Sequence, residues 1–224
     1  MKIKSIILNT EAVQATLDGR KSCIRKIIKP TQFIGLLPDK CKNAMPEEFT
    51  KEKRLMFKPY CDMTDSELIS TAYNSPYQPG DILYVRETVW QKIGHYLDVD
   101  GETKPSWYNE FRYVASDEKP ETGWNYSWVK RPSIHMPKDA ARIWLKVTDV
   151  RAERLQEITS QGAWKEGARC SCLYPRPDCA GNKAAFAEIW NNTVKKSDFE
   201  CYGWDANPWV WGIEFERCEK PNTN

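Results

Sequence analysis

Pro79-Gly80-Asp81 turns the chain into Ile82–Val89 (ILYVRETV), its most strand-like segment, and runs of strand length recur along the whole sequence. Residues 2–8 (KIKSIIL), 22–28 (SCIRKII), 110–115 (EFRYVA), 141–151 (ARIWLKVTDVR) and 208–217 (PWVWGIEFER) each read as a strand. Ile143, Leu145 and Val147 fall on one face of theirs by the two-residue period. In 208–217 the alternation slips at Gly212, which predicts a bulge. Helical signals are short. Asn9 or Thr10 can cap a helix carrying Val13 and Leu17, with Gly19 at its stop. Thr159 or Ser160 caps a second helix within 155–167, and 182–194 reads as a third, with Phe186, Ile189 and Trp190 on one face.

Between residues 30 and 80 the chain carries Pro30, Pro38, Pro46, Pro59, Pro76 and Pro79, too many for long elements. One strand is expected there, near Arg54–Lys58, and 116–139 is expected to be a polar, aromatic loop. The expected fold is α+β: a mixed, mostly antiparallel β-barrel of six or so strands with two or three short helices. A single domain over 1–218 is expected, with an irregular insertion at about 30–78 and a disordered tail at 219–224.

The net charge of +2 gives no global basic field, so nucleic-acid binding has to come from local clusters. Arg20, Lys21, Arg25, Lys26 and Lys29 form one such cluster. Ten Trp exceed what a core of this size uses, which leaves some of them for stacking on bases. The chain carries no apolar run of membrane length and no signal-peptide pattern, so a cytoplasmic protein with reduced thiols and no membrane partner is expected.

Five constellations carry chemistry. In Gly19-Arg20-Lys21-Ser22-Cys23-Ile24-Arg25, Lys21 suits phosphate binding, or general-base work if desolvated; the plain reading is a solvated basic turn. Glu166, before Gly167, gains interest only if Lys21 lies beside it. In Tyr84-Val85-Arg86-Glu87-Thr88, alternation sets Glu87 beside Val85 and Val89. A carboxylate there either reads a base edge, orients a lysine, or forms an ordinary strand salt bridge. Arg131-Pro132-Ser133-Ile134-His135 holds one of two histidines and follows Trp124 and Trp128. Cys170, Cys172 and Cys179 match zinc spacing weakly, so no metal and no cofactor is expected. Walker, Gly-x-Gly-x-x-Gly, His-Glu-x-x-His and Gly-x-Ser-x-Gly motifs are absent.

In their order and spacing, Gly19-Arg20-Lys21-Ser22, Pro79-Gly80-Asp81, Ile158-Thr159 with Ala163-x-x-Glu166-Gly167, and the terminal Ile213-Glu214-Phe215 resemble the ASCH family of PUA-like folds. With Tyr84–Thr88, Arg131–Pro137 and Tyr202–Trp211, the chain is similar to ASCH-like proteins of bacteriophages and prophages. The resemblance implies a PUA-like barrel with a cleft, a role in RNA binding, and residence in the cytoplasm of a bacterial host. Some relatives of the family are amidohydrolases acting on N4-acetylcytidine, and others are described as ribonucleases. The amidohydrolases use a Lys, a Thr three residues later and a downstream Glu. Lys21 and Glu166 match the first and last, but the Thr position is Ile24. Ser22 shares the face of Ile24 one pleat earlier, about 6–7 Å away on strand geometry.

The reading is therefore an RNA- or modified-nucleoside-binding protein with Arg20, Arg25, Arg86, Glu87, Trp90, Trp124, Arg131 and His135 as candidate binding residues. The alternative is a hydrolase using Lys21, Glu166 and Ser22; a further one is a phage protein that binds a host protein.

Overall fold

A computed structural model describes residues 2–29, 46–47, 56–57, 73–97 and 103–221. In chain order the strands are β1 (Ile3–Ile7), β2 (Cys23–Ile27), β3 (Pro46–Glu47), β4 (Met56–Phe57), β5 (Ile82–Arg86), β6 (Val89–Leu97), β7 (Thr103–Tyr113), β8 (Tyr126–Arg131), β9 (Trp144–Arg154) and β10 (Trp209–Cys218). The helices among the described residues are α1 (Thr10–Leu17), α2 (Ser160–Lys165), α3 (Gly181–Thr193) and α4 (Phe199–Tyr202). The fold is α+β, with mixed sheets of mostly antiparallel strands. One sheet has the order β1-β5-β9-β10-β2, a second β7-β6-β8, and β3 pairs with β4. Most of the expected 30–78 insertion, and the end of the expected tail, lie outside the described residues. No described helix is long and apolar enough to cross a membrane.

The chain divides into two compact units, each assembled from several segments. The first is drawn from Met1–Arg20, Asp81–Lys146 and Glu216–Asn224, and the second from Lys21–Gly80 and Val147–Phe215.

In the first unit β1 runs parallel to β5, and β5 antiparallel to the start of β9. The buried Asp81 accepts from the Lys2 N–H and pairs with Lys4, which ties the turn before β5 to β1. Helix α1 forms where its caps predict. Asn9 Oδ1 accepts from the Ala12 N–H at 2.8 Å, and Gly19, at φ +70°, lets the Arg20 N–H donate back to the Ala15 carbonyl.

Two expectations in this unit are corrected. Ile82–Val89 is not one strand, because the chain breaks at Glu87-Thr88 and enters β6 of the other sheet. The Glu87 N–H is drawn to Met136 Sδ instead of a ladder partner. Residues 116–139 are not wholly loop, since β8 lies within them and pairs antiparallel with β6. Its side chains are mostly half-buried, a setting that polar and aromatic residues fill without a clear apolar alternation.

In the second unit β2 pairs antiparallel with β10 from Val210↔Ile27 to Glu214↔Cys23. The register against β2 does not shift at Gly212, so the expected bulge is absent from this pairing. Beneath lies a core of Leu155, Ile158, Ala163, Phe186, Trp190 and Val210. Helix α3 buries Phe186 and Trp190 there, but Ile189 is exposed, contrary to the apolar-face expectation. Thr159 caps α2 as expected, accepting from the Gly162 N–H at 2.9 Å.

Candidate functional site

The second unit concentrates buried charge where β2 meets the end of α2. Strand alternation carries Lys21, Cys23 and Arg25 to one buried side and leaves Ser22 and Ile24 between them on the other. Helix α2 ends at Glu166 because Gly167, at φ +94°, turns the chain away. Lys21 Nζ then donates both to the Glu166 carbonyl, at 2.9 Å, and to its carboxylate Oε2, at 2.5 Å. Arg25 Nη1 donates to the other carboxylate oxygen at 3.2 Å, so one carboxylate, 5% exposed, is shared by two cations.

Glu153 of β9 completes the charge balance, its Oε1 lying 2.7 Å from Arg25 Nη2. Here Gly212 finds its purpose. It faces Arg25 across the ladder, and a Cβ on it would stand 2.9 Å from Glu153 Oε1. The missing side chain on β10 is the space in which the Glu153 carboxylate reaches Arg25. Gly162 is similarly tight, with a Cβ there falling 3.1 Å from Ile158 and 3.4 Å from Arg25 Nη2.

The network opens into a pocket of about 120 Å³ bordered by Arg25, Arg151, Glu153, Thr159, Lys165 and Glu214, with Glu157 and Gly162 also on its wall. Arg151 donates to Glu153 at 3.1 Å and to Glu214 at 3.0 Å, and Lys165 reaches Glu214 at 3.2 Å. Three cations and three carboxylates thus line one small space.

The electrostatics follow from this crowding. Burial would discharge Arg25, but Glu166 and Glu153 outweigh it and hold the guanidinium above its usual pKa. Burial, reinforced by the Glu166 charge, pushes the Cys23 thiol up to about 12, so it stays neutral and is no nucleophile at neutral pH. Burial also pushes Glu214 up, but hydrogen bonds from Lys165 and Arg151 prevail and hold its carboxyl below the ordinary value. A depressed carboxylate contributes stability above its unfolded pKa of about 4.3 and loses it as pH falls through the folded value. Urea midpoints measured from pH 6 down to pH 3 should accordingly fall less steeply in Glu214→Gln than in the parent.

The remaining sequence candidates sit elsewhere. Arg20 is exposed and paired with Asp18. Glu87, of the first unit, has both oxygens held by Arg142 at 2.9 Å and is not part of the Lys21 cluster. Arg86 donates to the Met136 and Ile134 carbonyls. His135 is exposed in a single 3₁₀ turn. Trp124 is 96% exposed, Arg131 lies over Trp107 at 4.6 Å, and Lys119 and Lys130 flank Trp90. Among them, Trp90 and Trp107 carry cations over their rings. Sequence reading missed Arg151, Glu153, Lys165 and Glu214. The one local sign was charge alternating along Arg151–Arg154 in a strand.

The chain matches no family model, and no curated protein or solved structure matches it.

Proposed function

We propose that this chain binds RNA or a modified nucleoside, as an ASCH-type protein with a PUA-like barrel, and seats one base in the second-unit pocket. The observation that carries the reading is a small polar pocket whose wall is held in place by the buried Lys21–Glu166–Arg25–Glu153 network. At about 120 Å³ the pocket is well below the roughly 300–1,000 Å³ of drug-sized sites, so it suits one ring rather than a whole nucleotide. Its charges are balanced. Alternating donors and acceptors match the edge of a neutral base better than a phosphate, which would meet three carboxylates. In the first unit, the cation-flanked Trp90 and Trp107 and the exposed Trp124 are rings of the kind on which single-stranded bases stack.

Fluorescence anisotropy with labelled single-stranded RNAs tests this. Lys21→Ala removes a strut of the pocket wall and should weaken binding at least tenfold in protein that remains folded. RNA binding that Lys21→Ala leaves unchanged, or none by the parent, contradicts the reading.

A second reading, hydrolysis of RNA or an acylated nucleoside, rests on the structure bringing the two candidate catalytic residues Lys21 and Glu166 together at 2.5 Å. Against the amidohydrolase route, the third residue after Lys21 is Ile24, which bears no hydroxyl and lies on the other strand face. Incubation with labelled RNA and N4-acetylcytidine decides it. Product that disappears in Lys21→Ala/Glu166→Ala makes the chain a hydrolase, whereas equal product from both preparations signals contamination.

A further inference from the structure

Three cysteines with weak spacing in sequence meet in space. The Cys170, Cys172 and Cys179 sulfurs lie 2.6, 3.1 and 3.7 Å apart. The loop that brings them together is built for the purpose. Asn182, fully buried, accepts from the Cys170 N–H at 3.0 Å and donates to the carbonyls of Arg176 at 2.8 Å and Pro177 at 3.3 Å. The Cys179 N–H donates to the same Arg176 carbonyl, and the Asn182 N–H to the Cys179 carbonyl. Gly181 is required by contact, since a Cβ there would stand 2.8 Å from the Cys170 Cβ.

We propose that Cys170, Cys172 and Cys179 bind a thiophilic metal ion, zinc, as three thiolate ligands. A disulfide uses two sulfurs and leaves the third without a role, whereas a single ion uses all three. Thiolate sets select soft or borderline ions over magnesium or calcium. With Zn–S near 2.3 Å, tetrahedral geometry sets the sulfurs about 3.8 Å apart. The Cys172–Cys179 edge is already there. The other two, both of which run to the buried Cys170, need to open by roughly 1 Å on that geometry, movements within reach of Cys172, which is exposed on the loop, and of the half-buried Cys179. Three thiolates around a divalent cation leave one negative charge. Helix α3 begins two residues after Cys179, and its positive end favours that charge. No fourth His, Cys, Asp or Glu joins the three sulfurs among the described residues. Bound there, zinc clips the loop between α2 and α3, the helix that carries Phe186 and Trp190 into the core.

The full-length chain, expressed with zinc in the medium and purified reduced, should hold about one zinc per chain by elemental analysis. Cys172→Ser and Cys179→Ser should lose at least nine-tenths of it, and Cys201→Ser, exposed in α4, should keep it. Apo protein titrated with cobalt(II) should develop thiolate-to-metal charge-transfer absorption, a readout that needs no variant to fold. Zinc retained in both loop variants, cobalt without charge-transfer bands, or a loss of two hydrogens among these cysteines in the native mass would each overturn the site.

Discussion

Glu166→Ala is expected to destabilise the chain by about 3–5 kcal/mol, the cost of stranding buried charge once its partner is removed. Lys21 and Arg25 both rest on that carboxylate, with side chains only 6% and 3% exposed. Arg25 keeps Glu153, but Lys21 keeps only the backbone carbonyl of residue 166. For a chain of this size, each kcal/mol moves the melting temperature by about 2–4 °C, so a drop on the order of 10 °C is expected. Lys165→Ala is the matched comparison. Its ion pair with Glu214 is partly exposed, and its loss should cost about 1 kcal/mol or less. Urea unfolding of the two variants side by side checks the claim, and equal, small losses would show that the buried network contributes little.

The second large effect lies in the first unit. Arg142→Ala leaves Glu87, 1% exposed, with neither of the two hydrogen bonds that hold its oxygens. It also removes the guanidinium from the Tyr113 ring at 4.0 Å and from Ser116 Oγ at 2.6 Å. The expected cost is again about 3–5 kcal/mol. In the proposed account this pair is structural, joining the break at Glu87-Thr88 to the approach to β9. Arg142→Ala should therefore lower stability while leaving RNA affinity, measured well below its unfolding transition, within about twofold. An affinity loss as large as that of Lys21→Ala would move Glu87 and Arg142 into the binding site.

What the sequence made legible was local. Gly19 and Gly167 mark helix stops because only a residue without Cβ takes positive φ easily, and Asn9 and Thr159 mark starts because their side chains cap free N–H groups. Alternation alone set Ser22 on the face of Ile24. The illegible parts depend on segments distant in the chain. Gly212 reads as a bulge until Glu153, nearly sixty residues earlier, is seen to occupy the space beside it. The pocket cations and carboxylates come from β2, β9, the turn after β9, α2 and β10, and no window of sequence holds them together. The break after Arg86 depends on Met136 and Arg142, and the cysteine cluster on Asn182 closing its loop. Strand β8 escaped notice because a half-buried strand of mixed polar and aromatic residues has no strong period.

The most direct test of the base-binding pocket is a calorimetric titration of the folded chain with free nucleosides, N4-acetylcytidine included, repeated on Lys165→Ala. At least one nucleoside should bind one-to-one to the parent and at least tenfold more weakly to Lys165→Ala. Absence of binding across the panel, or binding that the pocket substitution leaves unchanged, would contradict the base-binding reading.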